Sequence, residues 1–128
     1  MPSQVRLHRI ADRIKREISE MLIFELSDPR LKGIYITDVN IDRELAFANI
    51  YISAIEGSSR AEEALDGFNS AGGYIRRVLA QRIKLRSFPR LRFHWDPTPE
   101  QADQIEHILA EIRMEAEKRS AENGEAEA

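Results

Sequence analysis

The 128-residue chain contains no cysteine. That excludes a disulfide framework, a thiolate metal cage and a thiol nucleophile, and it agrees with a reducing compartment. Long apolar runs are also missing. The N-terminus interleaves charge with apolar residues at once (Arg6, His8, Arg9), unlike a secretory leader, and no stretch approaches the roughly 20 apolar residues of a spanning helix. A soluble, cytoplasmic protein without a membrane partner is expected. Catalytic signatures are absent as well: there is no GxxxxGK[ST] phosphate loop, no HExxH and no GxSxG turn.

What is present is an uneven charge. The net charge is −3, yet Ser70–Asp96 carries Arg76, Arg77, Arg82, Lys84, Arg86, Arg90 and Arg92 against Asp96 alone, a local +6. Residues 1–96 sum to +3 and residues 97–128 to −6, so the acidity belongs to the C-terminal segment. A basic surface within an acidic chain points to a polyanionic partner.

Periodicity supplies the elements. Ile10, Ile14, Ile18, Met21 and Leu22 recur at helical spacing, predicting an amphipathic helix that stops near Asp28-Pro29. Ile34–Ile55 reads as two strands about a turn at Asp42-Arg43-Glu44, with a bulge near Thr37-Asp38 where the apolar phase slips. In the second strand Ala46, Ala48, Ile50, Ile52 and Ala54 share one face, and Phe47, Asn49, Tyr51 and Ser53 share the other.

Gly57-Ser58-Ser59 predicts a loop and helix cap, followed by a helix through Leu65 and Phe68. Gly72-Gly73 predicts a break or kink, since each glycine costs about 1 kcal/mol relative to alanine inside a helix. A second, basic helix follows with Ile75, Val78, Leu79 and Ile83 inward, and Leu91, Phe93 and Trp95 alternate as a third strand after Pro89.

Beyond Pro97, Ala102, Ile105, Leu109, Ile112 and Ala116 form the apolar side of a further helix. The expected organisation is therefore a KH-like α+β domain over 1–97, an appended amphipathic helix over 98–119 and a disordered acidic tail over 120–128. The order αββααβ is that of a type II KH domain, but the GXXG loop that clamps a nucleic-acid backbone is replaced by Ala71-Gly72-Gly73.

Arg9-Ile10-Ala11, Asp28-Pro29-Arg30-Leu31, Leu45-Ala46-Phe47-Ala48 with Ile50-Tyr51-Ile52, and Ala71 through Arg77, then Leu85-Arg86, Pro89, Leu91, Phe93 and Asp96, stand in order over about residues 5–112. In these the chain resembles the bacterial ribosome-binding factor A family. The resemblance implies a KH-like fold with an alanine-x-glycine kink, here Ala71, Gly72 and Gly73. It also implies a non-enzymatic factor that binds the free small ribosomal subunit, supports late maturation and 5′-end processing of its rRNA, matters in the cold and leaves before translation. Asp42, Glu44 and Ala102 depart mildly from the family pattern.

On that reading Arg76 and Arg77, at the start of the second helix with its free amides, are the first candidates for rRNA phosphate. Arg82, Lys84, Arg86, Arg90 and Arg92 extend the surface, and Arg6, Arg9 and Arg13 form a second patch that is as readily a solvated helix face. Phe47 and Tyr51 are weighed as base-stacking residues, though packing or partner contact is favoured. Asp103, His107 and Glu111 sit at i, i+4 and i+8, a spacing more typical of a solvated helix face than of a metal site, so neither metal nor cofactor is expected. The other readings are a protein-interaction module using the C-terminal helix, and a small phosphate-binding enzyme built on Ser70-Ala71-Gly72-Gly73. A monomer is expected.

Overall fold

A computed structural model describes residues 2–127. Met1 and Ala128, at the outer ends of the segments set out above, lie outside the described residues. The chain divides into two compact units, residues 1–97 and 98–128.

The first unit runs α1 (Gln4–Phe24), a 3-10 turn (Pro29–Leu31), β1 (Ile34–Ile41), β2 (Phe47–Ala54), a second 3-10 turn (Ser58–Arg60), α2 (Ala61–Arg82) and β3 (Arg90–Trp95). The sheet order is β1-β2-β3, with β2 antiparallel to β1 and parallel to β3. A parallel neighbour needs a crossover, which α2 supplies. This is the expected mixed α+β architecture.

Ser3 caps α1 by accepting the Arg6 amide at 3.2 Å. Leu7, Ile10, Ile14, Ile18 and Met21 then form its buried stripe. From Ile10 onward they pack with Ile34, Ile36, Val39, Ile50, Ile52, Phe68, Ile75 and Leu79 in one core, so both helices cover the same sheet face. The predicted bulge is present, as the β1–β2 register shifts between Ile36 and Asp38. Its extra residue, Thr37, donates from Oγ1 to Asp96 Oδ2 at 2.6 Å, tying β1 to the end of β3. In the hairpin turn Asp42 Oδ1 accepts the amides of Ala46 and Phe47, both at 2.8 Å, while Leu45 takes the left-handed conformation (φ 55°).

The expected serine cap before α2 is not made. Ser58–Arg60 forms the 3-10 turn, and Gly57, at φ 87°, redirects the chain into it. Arg60 fastens this corner by donating to the carbonyls of Arg30 at 3.2 Å and Lys32 at 2.9 Å while pairing with Glu63.

The helix pair expected about Gly72-Gly73 is one uninterrupted element from Ala61 to Arg82. Neither glycine has a positive φ. Phe68, Ile75, Val78 and Leu79, buried on either side of the glycines, hold the helix by tertiary packing that outweighs local propensity.

The second unit is α3, Thr98–Glu127, which continues past Arg119, where the sequence reading ends the helix. Alanine and glutamate dominate its last turns, and both are strong helix formers. Ile105, Ile108, Leu109 and Ile112 are exposed along it. Among the described residues no helix is long and apolar enough to cross a membrane.

Candidate nucleic-acid interface

α2 and β3 bring the glycines and part of the basic set to one place. Asn69, Gly72, Gly73, Arg76, Arg90, Leu91 and Phe93 line a cleft of about 250 Å3. Gly72 faces β3: a Cβ there would sit 3.8 Å from the Phe93 ring, at ordinary contact distance, and that ring stacks on Phe68 at 4.7 Å. A Cβ at Gly73 would meet nothing within 4 Å. The glycines thus leave a backbone-lined wall with arginine at its rim, the geometry in which a chain of phosphates can approach a helix closely.

Arg76 is not free for a ligand in the way its position in the sequence suggests. Its Nε donates to the Pro89 carbonyl at 3.1 Å and its second terminal nitrogen to that of Phe88 at 2.6 Å. The residue is a strut between α2 and the entry to β3. The expected free amides beside it are also missing, because α2 is continuous there and those N–H groups lie inside the helix rather than at its start. The same continuity removes the helix start on which a small-phosphate site at Ser70-Ala71-Gly72-Gly73 would depend.

Arg82 and Arg13 are drawn into a network with α1. Arg82 pairs with Glu17 at 3.0 Å and Glu25 at 2.7 Å, and Arg13 pairs with Glu17 at 3.1 Å. Glu17 is buried, and its hydrogen bond from Arg82 leads the effects that outweigh burial and hold its pKa below the usual glutamate value. A depressed folded-state pKa contributes stability above the unfolded value and loses it as pH falls through the folded one. Glu17→Gln should therefore cost about 1–2 kcal/mol at pH 7, the range for charged hydrogen bonds with a half-exposed partner. In urea titrations run at decreasing pH, that gap should close below about pH 4. A gap independent of pH would show that packing, not ionisation, holds the site.

The remaining candidates are unencumbered by carboxylates. Arg77 is exposed, its guanidinium carbon 5.8 Å from the Tyr74 ring centroid. Lys84, Arg86 and Arg90 are exposed in and after the α2–β3 loop and have no ion pair among the described residues. Arg92 lies over Phe47, 3.4 Å from the ring centroid, on the sheet face away from the helices. Arg6 and Arg9 are exposed on α1. Among the described residues no group of three or more His, Asp or Glu side chains is arranged to hold a metal, and this includes the Asp103, His107, Glu111 series.

Sequence reading missed two kinds of residue. Arg60 carried no motif, and its role depends on carbonyls about 30 positions away. Gly67 belonged to no motif, but a Cβ there would stand 2.8 Å from Leu31 Cδ2, so it is the contact point of α2 on the Asp28-Pro29-Arg30-Leu31 turn.

The model of one family, ribosome-binding factor A, matches residues 6–109, most of the chain and the whole of the cleft. The chain belongs to the ribosome-binding factor A family. A relative from Alcanivorax borkumensis is 38% identical over 121 residues, covering 94% of this chain and 88% of its own. The crystal structure of ribosome-binding factor A from Thermus thermophilus aligns with TM-score 0.62 at 26% identity, covering 70% of this chain and 93% of that one. A homology model of the Thermus thermophilus ribosome-binding factor A, fitted into a cryo-EM map of its complex with the 30S subunit, aligns with TM-score 0.57 at 27% identity, over 69% of this chain and 91% of that one. Ribosome-binding factor A structures carry the KH-like fold, and the three-stranded sheet with α1 and α2 on one face is its counterpart here.

Proposed function

We propose that this protein is a non-enzymatic assembly factor that binds the free small ribosomal subunit. Contact is made through rRNA phosphates along the glycine cleft and the α2–β3 loop. The reading includes late maturation and 5′-end processing of small-subunit rRNA, a larger requirement in the cold, and action as a cytoplasmic monomer. The observation that carries it is the set of exposed cations, Arg77 on α2, Lys84 and Arg86 in the α2–β3 loop and Arg90 at the cleft, with no carboxylate paired to them among the described residues. Unpaired cations lose little on meeting phosphate and release its counterions. The family match and the relative's 30S complex support the choice of particle.

The structure changes which residues carry the proposal. Arg82 and Arg13 are already neutralised by Glu17 and Glu25, and Arg76 supports the cleft rather than reaching out of it. Arg6 and Arg9 remain as a secondary patch. Co-sedimentation with purified small subunits, large subunits and joined ribosomes tests the reading. Selective, salt-sensitive recovery with free small subunits is expected. Equal recovery with all three would reduce the interaction to nonspecific charge.

A second reading, a protein-interaction module acting through α3, is favoured by its exposed Ile105, Ile108, Leu109 and Ile112. If it were the main activity, a chain ending at Pro97 would lose particle binding. The rRNA reading expects that shorter chain to keep most of it.

A further inference from the structure

The sheet has a second face. Register places Tyr35, Asp38 and Asn40 of β1, Phe47, Asn49, Tyr51 and Ser53 of β2, and Arg90, Arg92 and His94 of β3 on the side opposite the core. Ser53, a small side chain opposite Tyr35, is buried, while the rest are half-buried or exposed. The rings on this face are not packed into a core; they are layered on one another. Arg92 lies over Phe47, Tyr51 stacks on His94 with centroids 5.1 Å apart and planes 29° apart, and Asn49 links the second layer to β1. Its Oδ1 is 2.9 Å from His94 Nε2, and its Nδ2 donates to Asn40 Oδ1 at 3.1 Å.

We infer that this face binds single-stranded RNA by stacking unpaired bases on the Arg92–Phe47 and Tyr51–His94 layers. The inference rests on the small-subunit reading above and names a second surface and a ligand class for it. Four ingredients favour that occupant. Both layers end in flat π surfaces held in place by a partner beneath, so a base gains stacking without ordering a mobile ring. Phe47 and Tyr51 are four residues apart on one strand, roughly 13 Å, which spaces the layers for separate bases. Asn40, Asn49 and His94 supply donors and acceptors between them. Arg90 and Arg92 offer two cations against one carboxylate, Asp38, so the patch complements a phosphate backbone. A duplex hides its base faces and gains nothing from such layers.

The test uses a fluorescently labelled ten-nucleotide single-stranded RNA and a duplex of the same length, measured by anisotropy with the full chain at low and high salt. Tyr51→Leu and Phe47→Leu keep apolar volume on the strand, and Arg92→Lys keeps the charge but removes the plane. Each is expected to weaken single-strand binding about tenfold at both salt concentrations while leaving duplex binding within twofold. Arg92→Lys projects into solvent and guards against a folding artefact in the ring variants. The inference is overturned if single strand and duplex weaken together, if Arg92→Lys equals the parent, or if neither RNA binds while the variants still lose small subunits, which would mean a protein partner. If the parent prefers single strands but ignores small subunits, the stacking face stands and the assembly-factor reading falls.

Discussion

Gly67→Ala should lower the melting temperature by about 5–10 °C, whereas Gly73→Ala, six residues later in the same helix, should raise it by a few degrees. Intrinsic propensity favours alanine over glycine by about 1 kcal/mol at either position. The surroundings decide the sign. At Gly67 the new methyl would lie 2.8 Å from Leu31 Cδ2 and 3.2 Å from Arg30 Cβ. Leu31 is buried in the core and Arg30 Cβ is fixed to the turn's backbone, so an overpacking penalty toward the upper end of about 1–3 kcal/mol is expected to exceed the gain. At Gly73 the backbone is helical and the space is open, so the gain stands. Thermal unfolding of the two variants beside the parent checks both. Equal shifts would mean that α2 does not rest on the Pro29–Leu31 turn as described. Gly73 also lines the cleft, so its alanine variant should be more stable and yet bind small subunits less well, a trade often met where a site holds back stability.

The second large effect is on salt dependence. Lys84→Ala/Arg86→Ala/Arg90→Ala should weaken small-subunit binding about 10- to 100-fold near 100 mM salt and flatten the slope of log affinity against log salt by about 2–3, as each phosphate contact contributes somewhat less than one. Arg13→Ala/Arg82→Ala removes two cations of the same sequence class but should change the slope by less than about 1, because Glu17 and Glu25 already hold those charges. Its effect should appear as lost stability. Equal slopes for the two sets would mean that binding follows net charge and not the cleft and the basic α2–β3 loop.

These contrasts mark what could be read from the chain and what could not. The strands, the bulge at Thr37 and the inward stripe of α1 were legible because they depend on periodicity, which is local. The continuity of α2 through Gly72-Gly73 was not, since it depends on Phe68 and Ile75 being buried on either side. The basic surface was legible as a composition but not as a site. Sequence alone could not separate Arg82, whose partners lie 57 and 65 positions away, from Arg86, which has none among the described residues. Arg76 shows the same limit. Its carbonyl acceptors at Phe88 and Pro89 belong to a loop whose path only the fold determines. The Asp28-Pro29-Arg30-Leu31 motif was visible, but its use as a seat for Gly67 required the helix above it.

The central claim is that the glycine cleft and the basic α2–β3 loop meet rRNA on the free small subunit. A photo-crosslinking residue placed at Arg86, in the exposed α2–β3 loop, tests it most directly. On purified small subunits the account predicts crosslinks to rRNA, abolished by raised salt and absent on joined ribosomes. Crosslinks confined to ribosomal proteins, or equally strong on every particle, would contradict it.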